Sequence, residues 1–255
     1  MPFHTQCLDE VLILCAIVFP SAYIYFLKPF VKAGGRVLLA ENLCTIIVYG
    51  IITAAGVLAG RAGAPDILLF REGVEAWQLL IYPAAACAGI AIVYAEYIEA
   101  AIPVLRKSGR LPEMRGPSLY RGRFSATETA CNVLSIAAAA SLEELVFRQF
   151  MMGGIFESLF ATGSNFESLS AMGSLFESFS AMALLAVCLS ALFYAVNHVY
   201  FGRFAVIQKL GSGMVFAAIY AVTGGDILAC AICHTAQNLF LYFYTVCQER
   251  RREEV

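Results

Sequence analysis

The 255-residue chain is 60% hydrophobic and only 14% charged, where a soluble domain carries about 25% charged residues. With a mean hydropathy of +0.74, that balance excludes an ordinary soluble domain and leaves room for roughly seven spans of about 20 residues. The net charge of −2 and the scattering of Lys and Arg through short loops exclude an electrostatic nucleic-acid surface.

In chain order, Met1 to Glu10 is acidic and lacks the basic start of a secretory signal. The first apolar stretch therefore reads as a retained span. Seven spans are predicted, over 8–27, 39–60, 77–105, 125–152, 181–202, 205–223 and 227–247. The third and fourth exceed what a bilayer needs, so they tilt or project beyond it. Gly34-Gly35, Pro65, Pro112, Pro117 and Gly224-Gly225 mark connections. The expected fold is an all-α polytopic transmembrane bundle. Residues 1–124 supply three N-terminal spans and a basic loop, 125–247 a helical core, and 248–255 a charged tail.

Charge placement supports the count. Lys28, Lys32, Arg36, Arg106, Lys107, Arg110, Arg115, Arg121, Arg123, Arg203, Lys209 and Arg250 to Arg252 fall on one side. Only Arg61 and Arg71 fall on the other, and Arg148 lies within a span. Cytoplasmic loops are enriched in Lys and Arg, which predicts an external N-terminus and a cytoplasmic tail.

Residues 156–185 hold a repeat of ten, FESLFATGSN, FESLSAMGSL, FESFSAMALL. Ten residues at 100° each return about 80° short of the starting face, so the repeated Phe residues form no single helical stripe. A duplicated external loop is the simplest reading; a lid or a substrate-docking segment is the functional one. Of nine cysteines, most sit in apolar stretches, where free Cys acts as a small hydrophobe.

An ionisable group in hydrocarbon costs about 2.5–3.5 kcal/mol or more, so it marks a candidate site. The fourth span reads S-L-E-E-L-V-F-R. Glu144 and Arg148 stand four apart in the order that favours an ion pair. Glu143 points about 100° away and offers a second carboxylate. The fifth span ends Y-A-V-N-H at His198, and the seventh carries H-T-A-Q-N, which puts His234 and Asn238 on one face. Two of the chain's three histidines thus lie in spans. Taken separately, the Glu–Arg pair could simply pin two helices, and each His could make a helix–helix hydrogen bond.

E-E-L-V-F-R (143–148), the aromatic-x-x-x-His element ending at His198, and H-T-A-Q-N (234–238) together resemble the three motifs of the CPBP family. That family comprises CAAX-type prenyl endopeptidases and bacteriocin-processing, or Abi, proteins. The resemblance covers about residues 125–245. Tyr194 stands where the family usually has Phe, and the repeat fills the gap between the first two motifs. The resemblance implies a glutamate-type intramembrane endopeptidase without metal or cofactor, acting on a membrane-embedded or lipid-anchored protein or peptide from the plasma membrane. It implies that Glu143 and His198 activate a water, that His234 and Asn238 stabilise the oxyanion, and that Glu144 and Arg148 support the site. Oxyanion donors in a water-poor site are worth about 2.7–4 kcal/mol each.

Other readings use the same atoms. Two His and a carboxylate can hold catalytic zinc, although no H-E-x-x-H is present. Cys230-x-x-Cys233-His234 spells a haem-attachment pattern, set here in an apolar helix. A non-catalytic scaffold or immunity-type protein on the same fold is the main alternative, and a transporter is a third, without an inverted repeat to support it. Depth poses a problem. At 1.5 Å per residue, Glu143 and His234 fall in the outer half of the membrane, whereas His198 falls near the inner end of its span. The span boundaries favour an outward-facing site, while prenyl endopeptidases of the family open to the cytosol.

Overall fold

The computed structural model describes residues 37–58, 78–114, 116–117, 120–121, 124–154 and 172–253. Among them every regular element is helical. Helix α1 is Val37–Leu58 and α2 is Ile81–Ser108, entered through a tight turn at Gln78–Leu80. Helix α3, Ala126–Glu144, continues as a wider-wound segment over Leu145–Met152. Helix α4 is Met172–Val196, α5 is Arg203–Val222 and α6 is Ile227–Glu253. Five of these six are long and apolar enough to cross a membrane; in α4 the described apolar part is the shorter Ala183–Val196. Six helices thus stand against seven predicted spans. The first predicted span, 8–27, lies outside the described residues, as do Lys28, Lys32, Arg36, Arg61 and Arg71. So does the repeat up to residue 171, while residues 172–185 form the first turns of α4.

Local chemistry sets the helix ends. Ser125 and Glu128 form a reciprocal capping box at the start of α3: Glu128 N–H donates to Ser125 Oγ at 3.2 Å, and Ser125 N–H to Glu128 Oε2 at 3.0 Å. Helix α2 stops at Gly109, whose φ of 68° lets its N–H reach Leu105 O. Asp226 Oδ1 accepts from the N–H groups of Leu228 and Ala229 and starts α6. Arg106 and Lys107 end α2, and Arg250 to Arg252 end α6, where cations complement the helix dipole.

The core gathers Tyr49 and Ile52 of α1, Ile92 of α2, Phe147 and Met151 of α3, Tyr194 of α4, Phe216 of α5 and Cys233 of α6. Between membrane helices the attraction comes from close packing rather than from expulsion of water, so small residues decide how near two backbones come. At Gly89 of α2 a Cβ would stand 2.1 Å from Cys233 O on α6. The two helices therefore touch through that missing side chain. Gly50 of α1 has nothing within 4 Å of the same position. Gly89→Ala is expected to force α2 and α6 apart at a cost of about 1–3 kcal/mol. Gly50→Ala should be neutral or slightly stabilising. Thermal unfolding of the two variants in detergent checks the contrast.

Candidate active site

The most buried part of the bundle is charged. Glu144, Arg148 and Ser190 are inaccessible to solvent, and His234 is nearly so. Arg148 Nε donates to Glu144 Oε2 at 2.9 Å, and Arg148 Nη1 donates to Ser190 Oγ at 2.6 Å. Ser190 Oγ in turn donates to Phe147 O at 3.0 Å. The guanidinium lies over the rings of Tyr194 and Phe216, 5.4 and 5.9 Å from their centroids, where ring faces favour a cation. Glu144 uses its second oxygen on another helix: His234 Nδ1 is 2.8 Å from Glu144 Oε1. A carboxylate accepts and does not donate, so Nδ1 carries the hydrogen. One carboxylate thereby neutralises Arg148 and orients His234. The i, i+4 spacing predicts the first contact; nothing in the spacing predicts the second.

Glu143, one residue earlier, faces a different space. With His198, His234 and Asn238 it lines a cavity of about 640 Å³. All four sequence-predicted catalytic side chains border this single cavity, and Glu144 and Arg148 lie behind its wall. Glu143 Oε2 is 3.9 Å from His234 Nε2, beyond hydrogen-bond range. Tyr194 sits between the two histidines. Its hydroxyl is 3.4 Å from His234 Nε2, and its ring centroid is 4.8 Å from that of His198. His198 Nδ1 lies 2.9 Å from Tyr194 O, a carbonyl, and therefore donates to it. The Nε2 of a neutral His198 is left as an acceptor.

The backbone ends the fifth predicted span earlier than hydropathy does. The predicted span 181–202 is a helix that begins at Met172 and ends at Val196. His198 lies just beyond that early end, in a turn closed by His198 N–H to Ala195 O and Phe201 N–H to His198 O. Non-helical backbone at membrane depth is tolerated where it lines a cavity, and Asn197, His198 and Phe201 do so. His198 thus borders the same cavity as the other motif residues from a turn rather than from a helix. Toward that end the cavity is bordered by Pro112, Glu113, Met114 and Pro117 of the loop after α2, and by Phe204 and Ala205 at the start of α5.

Four polar groups escape the motif reading. Glu41, Glu96 and Lys209 also line the cavity, and Asn197 Nδ2 donates to Tyr49 Oη at 2.8 Å, tying the turn to α1. The signal for Glu41 and Glu96 is the one that exposes Glu143: a carboxylate inside an apolar helix. Cys230 and Cys233, the thiols of the haem-like pattern, are fully buried and unlinked, with Cys230 Sγ against Phe216 O.

Breaking a buried ion pair from one side costs about 3–5 kcal/mol because it strands the partner. Arg148→Met and Glu144→Gln are each expected to lower thermal stability by that order. The double variant should lose clearly less than the sum, a shortfall that a double-mutant cycle of unfolding midpoints measures.

The arrangement holds a carboxylate and an imidazole acceptor beside a second imidazole and an amide, in a cavity within an apolar bundle. Such a set can activate water and stabilise an oxyanion. No curated protein and no solved structure matches the chain. The family described as type II CAAX prenyl endopeptidase, Rce1-like, matches residues 126–240, the stretch that contains all three motifs. The chain is an integral, polytopic membrane protein, and over residues 126–240 it is similar to the Rce1-like family of type II CAAX prenyl endopeptidases.

Proposed function

We propose that the protein hydrolyses a peptide bond of a membrane-embedded or lipid-anchored chain by glutamate chemistry that needs no metal. The observation that carries this reading is the convergence of Glu143, His198, His234 and Asn238 on one cavity from α3, the turn after α4, and α6. Glu143 acts as general base toward a water that also donates to His198 Nε2. Attack on the scissile carbonyl places negative charge on its oxygen. His234 and the Asn238 side-chain amide donate to that oxygen. For His234 Nε2 to donate while Nδ1 is held by Glu144, the ring must be the imidazolium. Glu144 holds Nδ1 and so fixes the ring that carries Nε2, and this gives Glu144 its place in the mechanism. Protonated Glu143 then returns its proton to the leaving amine. Among the described residues no three His, Cys, Asp or Glu side chains are grouped to hold a metal ion.

The family match favours a CAAX-type substrate, cleaved near its C-terminus, over a peptide leader or an exported protein's sorting helix. The cavity reaches the end of the bundle where Arg106, Lys107 and Arg110 lie. By the positive-inside rule that end is cytoplasmic, so the site opens to the cytosol, against the outward indication of the span boundaries. We assign the protein to the plasma membrane as part of this proposal.

The test is cleavage of a lipidated peptide by purified protein. Glu143→Gln and His198→Ala should each lower kcat by at least about 10³-fold, and Asn238→Ala by about 10²–10³-fold, the range for loss of one oxyanion donor. Thermal stability should change little. A cellular phenotype that survives both Glu143→Gln and His198→Ala would instead favour a non-catalytic scaffold.

Prolonged dialysis against chelator is expected to leave the rate within twofold. Loss of activity in chelator, with recovery on zinc, rejects the metal-free mechanism.

A further inference from the structure

The cavity's lining carries a charge pattern that the four motif residues do not use. Glu41, Glu96, Glu113 and Glu143 are carboxylates, and among the described lining residues Lys209 is the one Lys or Arg. Glu113 is paired with Arg252 at the end of α6. Lys209 Nζ stands 3.8 Å from Glu96 Oε1, well outside the 2.7–2.9 Å or so of a charge-assisted hydrogen bond. It donates no hydrogen bond among the described residues. The same Glu96 oxygen is taken at 2.9 Å by Gln237 Nε2 from α6. The junction between α2 and α5 is made beside it, by Gln208 Nε2 donating to Glu96 O at 2.9 Å. Neighbours therefore already do what a structural lysine would do here. A lysine in an apolar bundle is costly unless it has a use, and Lys209 keeps its three donors beside a half-buried space that holds the motif residues.

We propose that Lys209 is an anion subsite that binds the free carboxylate at the C-terminus of the peptide substrate; this rests on the hydrolytic reading above and names how that site selects its substrate. The size of the space supports a chain end. About 640 Å³ falls in the range that takes a drug-sized ligand, equivalent to a few residues. A chain that ends a few residues past the scissile bond fits within it, whereas one that continues must leave it again. The carboxylates of the wall repel acidic side chains elsewhere in the cavity, and Lys209 is the one Lys or Arg among the described lining residues that can take a carboxylate. Glu96, held by Gln237, is the counter-charge that keeps the ammonium in place when the subsite is empty.

The experiment measures binding and does not depend on turnover. Two fluorescent S-farnesylated peptides ending in Cys-Ala-Ala-Ser, one with a free carboxylate and one with a carboxamide, are titrated against the full chain in nanodiscs of neutral lipid. The background is Glu143→Gln, so that nothing is cleaved. The carboxylate peptide should bind at least tenfold more tightly than the carboxamide. Adding Lys209→Met should bring the two within twofold of each other by weakening only the carboxylate peptide, and adding Glu96→Gln should preserve the preference. Equal affinity of both peptides, binding of neither, or equal weakening of both by Lys209→Met and by Glu96→Gln overturns the subsite. Wild-type protein that binds with the predicted preference but never cleaves either peptide supports the subsite and rejects the hydrolytic reading, so the two fail separately.

Discussion

A guanidinium sealed inside an apolar bundle demands an answer to its charge, and Arg148 is the group the rest of this structure is arranged around. Its cost in the interior is several kcal/mol if left unpaired. Glu144 from the same helix, Ser190 from α4 and the rings of Tyr194 and Phe216 provide the answer. These partners come from three helices, so satisfying one cation fixes how α3, α4 and α5 approach. The second oxygen of Glu144 then fixes α6 through His234. The pair is weak evidence for stability as such, since a well-packed apolar substitute can do as well. Its consequence is specificity: the register of four helices and the direction of one imidazole follow from it.

With His234 held from behind, the remaining site residues need only border the same space. Glu143 does so because it precedes Glu144 by one position and therefore points off the helix face occupied by the ion pair. The winding also changes there. From Leu145 the helix runs wider, and Gly153 N–H reaches back to Arg148 O; such segments recur at functional sites. His198 borders the space for the opposite reason, because its helix stops. Gly202, with φ of 98°, provides the conformation that turns the chain into α5, and the bond from Asn197 to Tyr49 secures the turn against α1.

Much of this was legible in the sequence because the bundle is a poor solvent for charge. Glu143, Glu144, Arg148, His198, His234 and Asn238 stand out against apolar neighbours, and pairs within one helix follow from its period, as Glu144 and Arg148 do. Contacts between helices do not. Asn238 shares a face with His234, yet the group that orients His234 is Glu144, ninety positions away in the chain. Hydropathy also misplaced the end of α4, since V-N-H-V-Y-F is apolar enough to extend a span. Only the backbone shows that its polar groups turn to line a cavity. Lys209 was hidden in another way: six residues after Arg203, it reads as one more cytoplasmic loop cation, although it sits two turns inside α5 and on the cavity wall.

The same topology links the direction of opening to the chemistry. The start of α1, the end of α2, the turn after α4 and the start of α5 all lie along the cavity, so the space runs along the end of the bundle where Arg106 and Lys107 close α2. Irregular backbone within a bilayer needs access to water or to protein partners, and hydrolysis needs water as well. One cavity can meet both needs: the turn that ends α4 brings His198 to the space that Glu143 also lines. Replacing that turn with a continuous α4 would satisfy the backbone more simply and would leave the cavity without the irregular segment that carries His198.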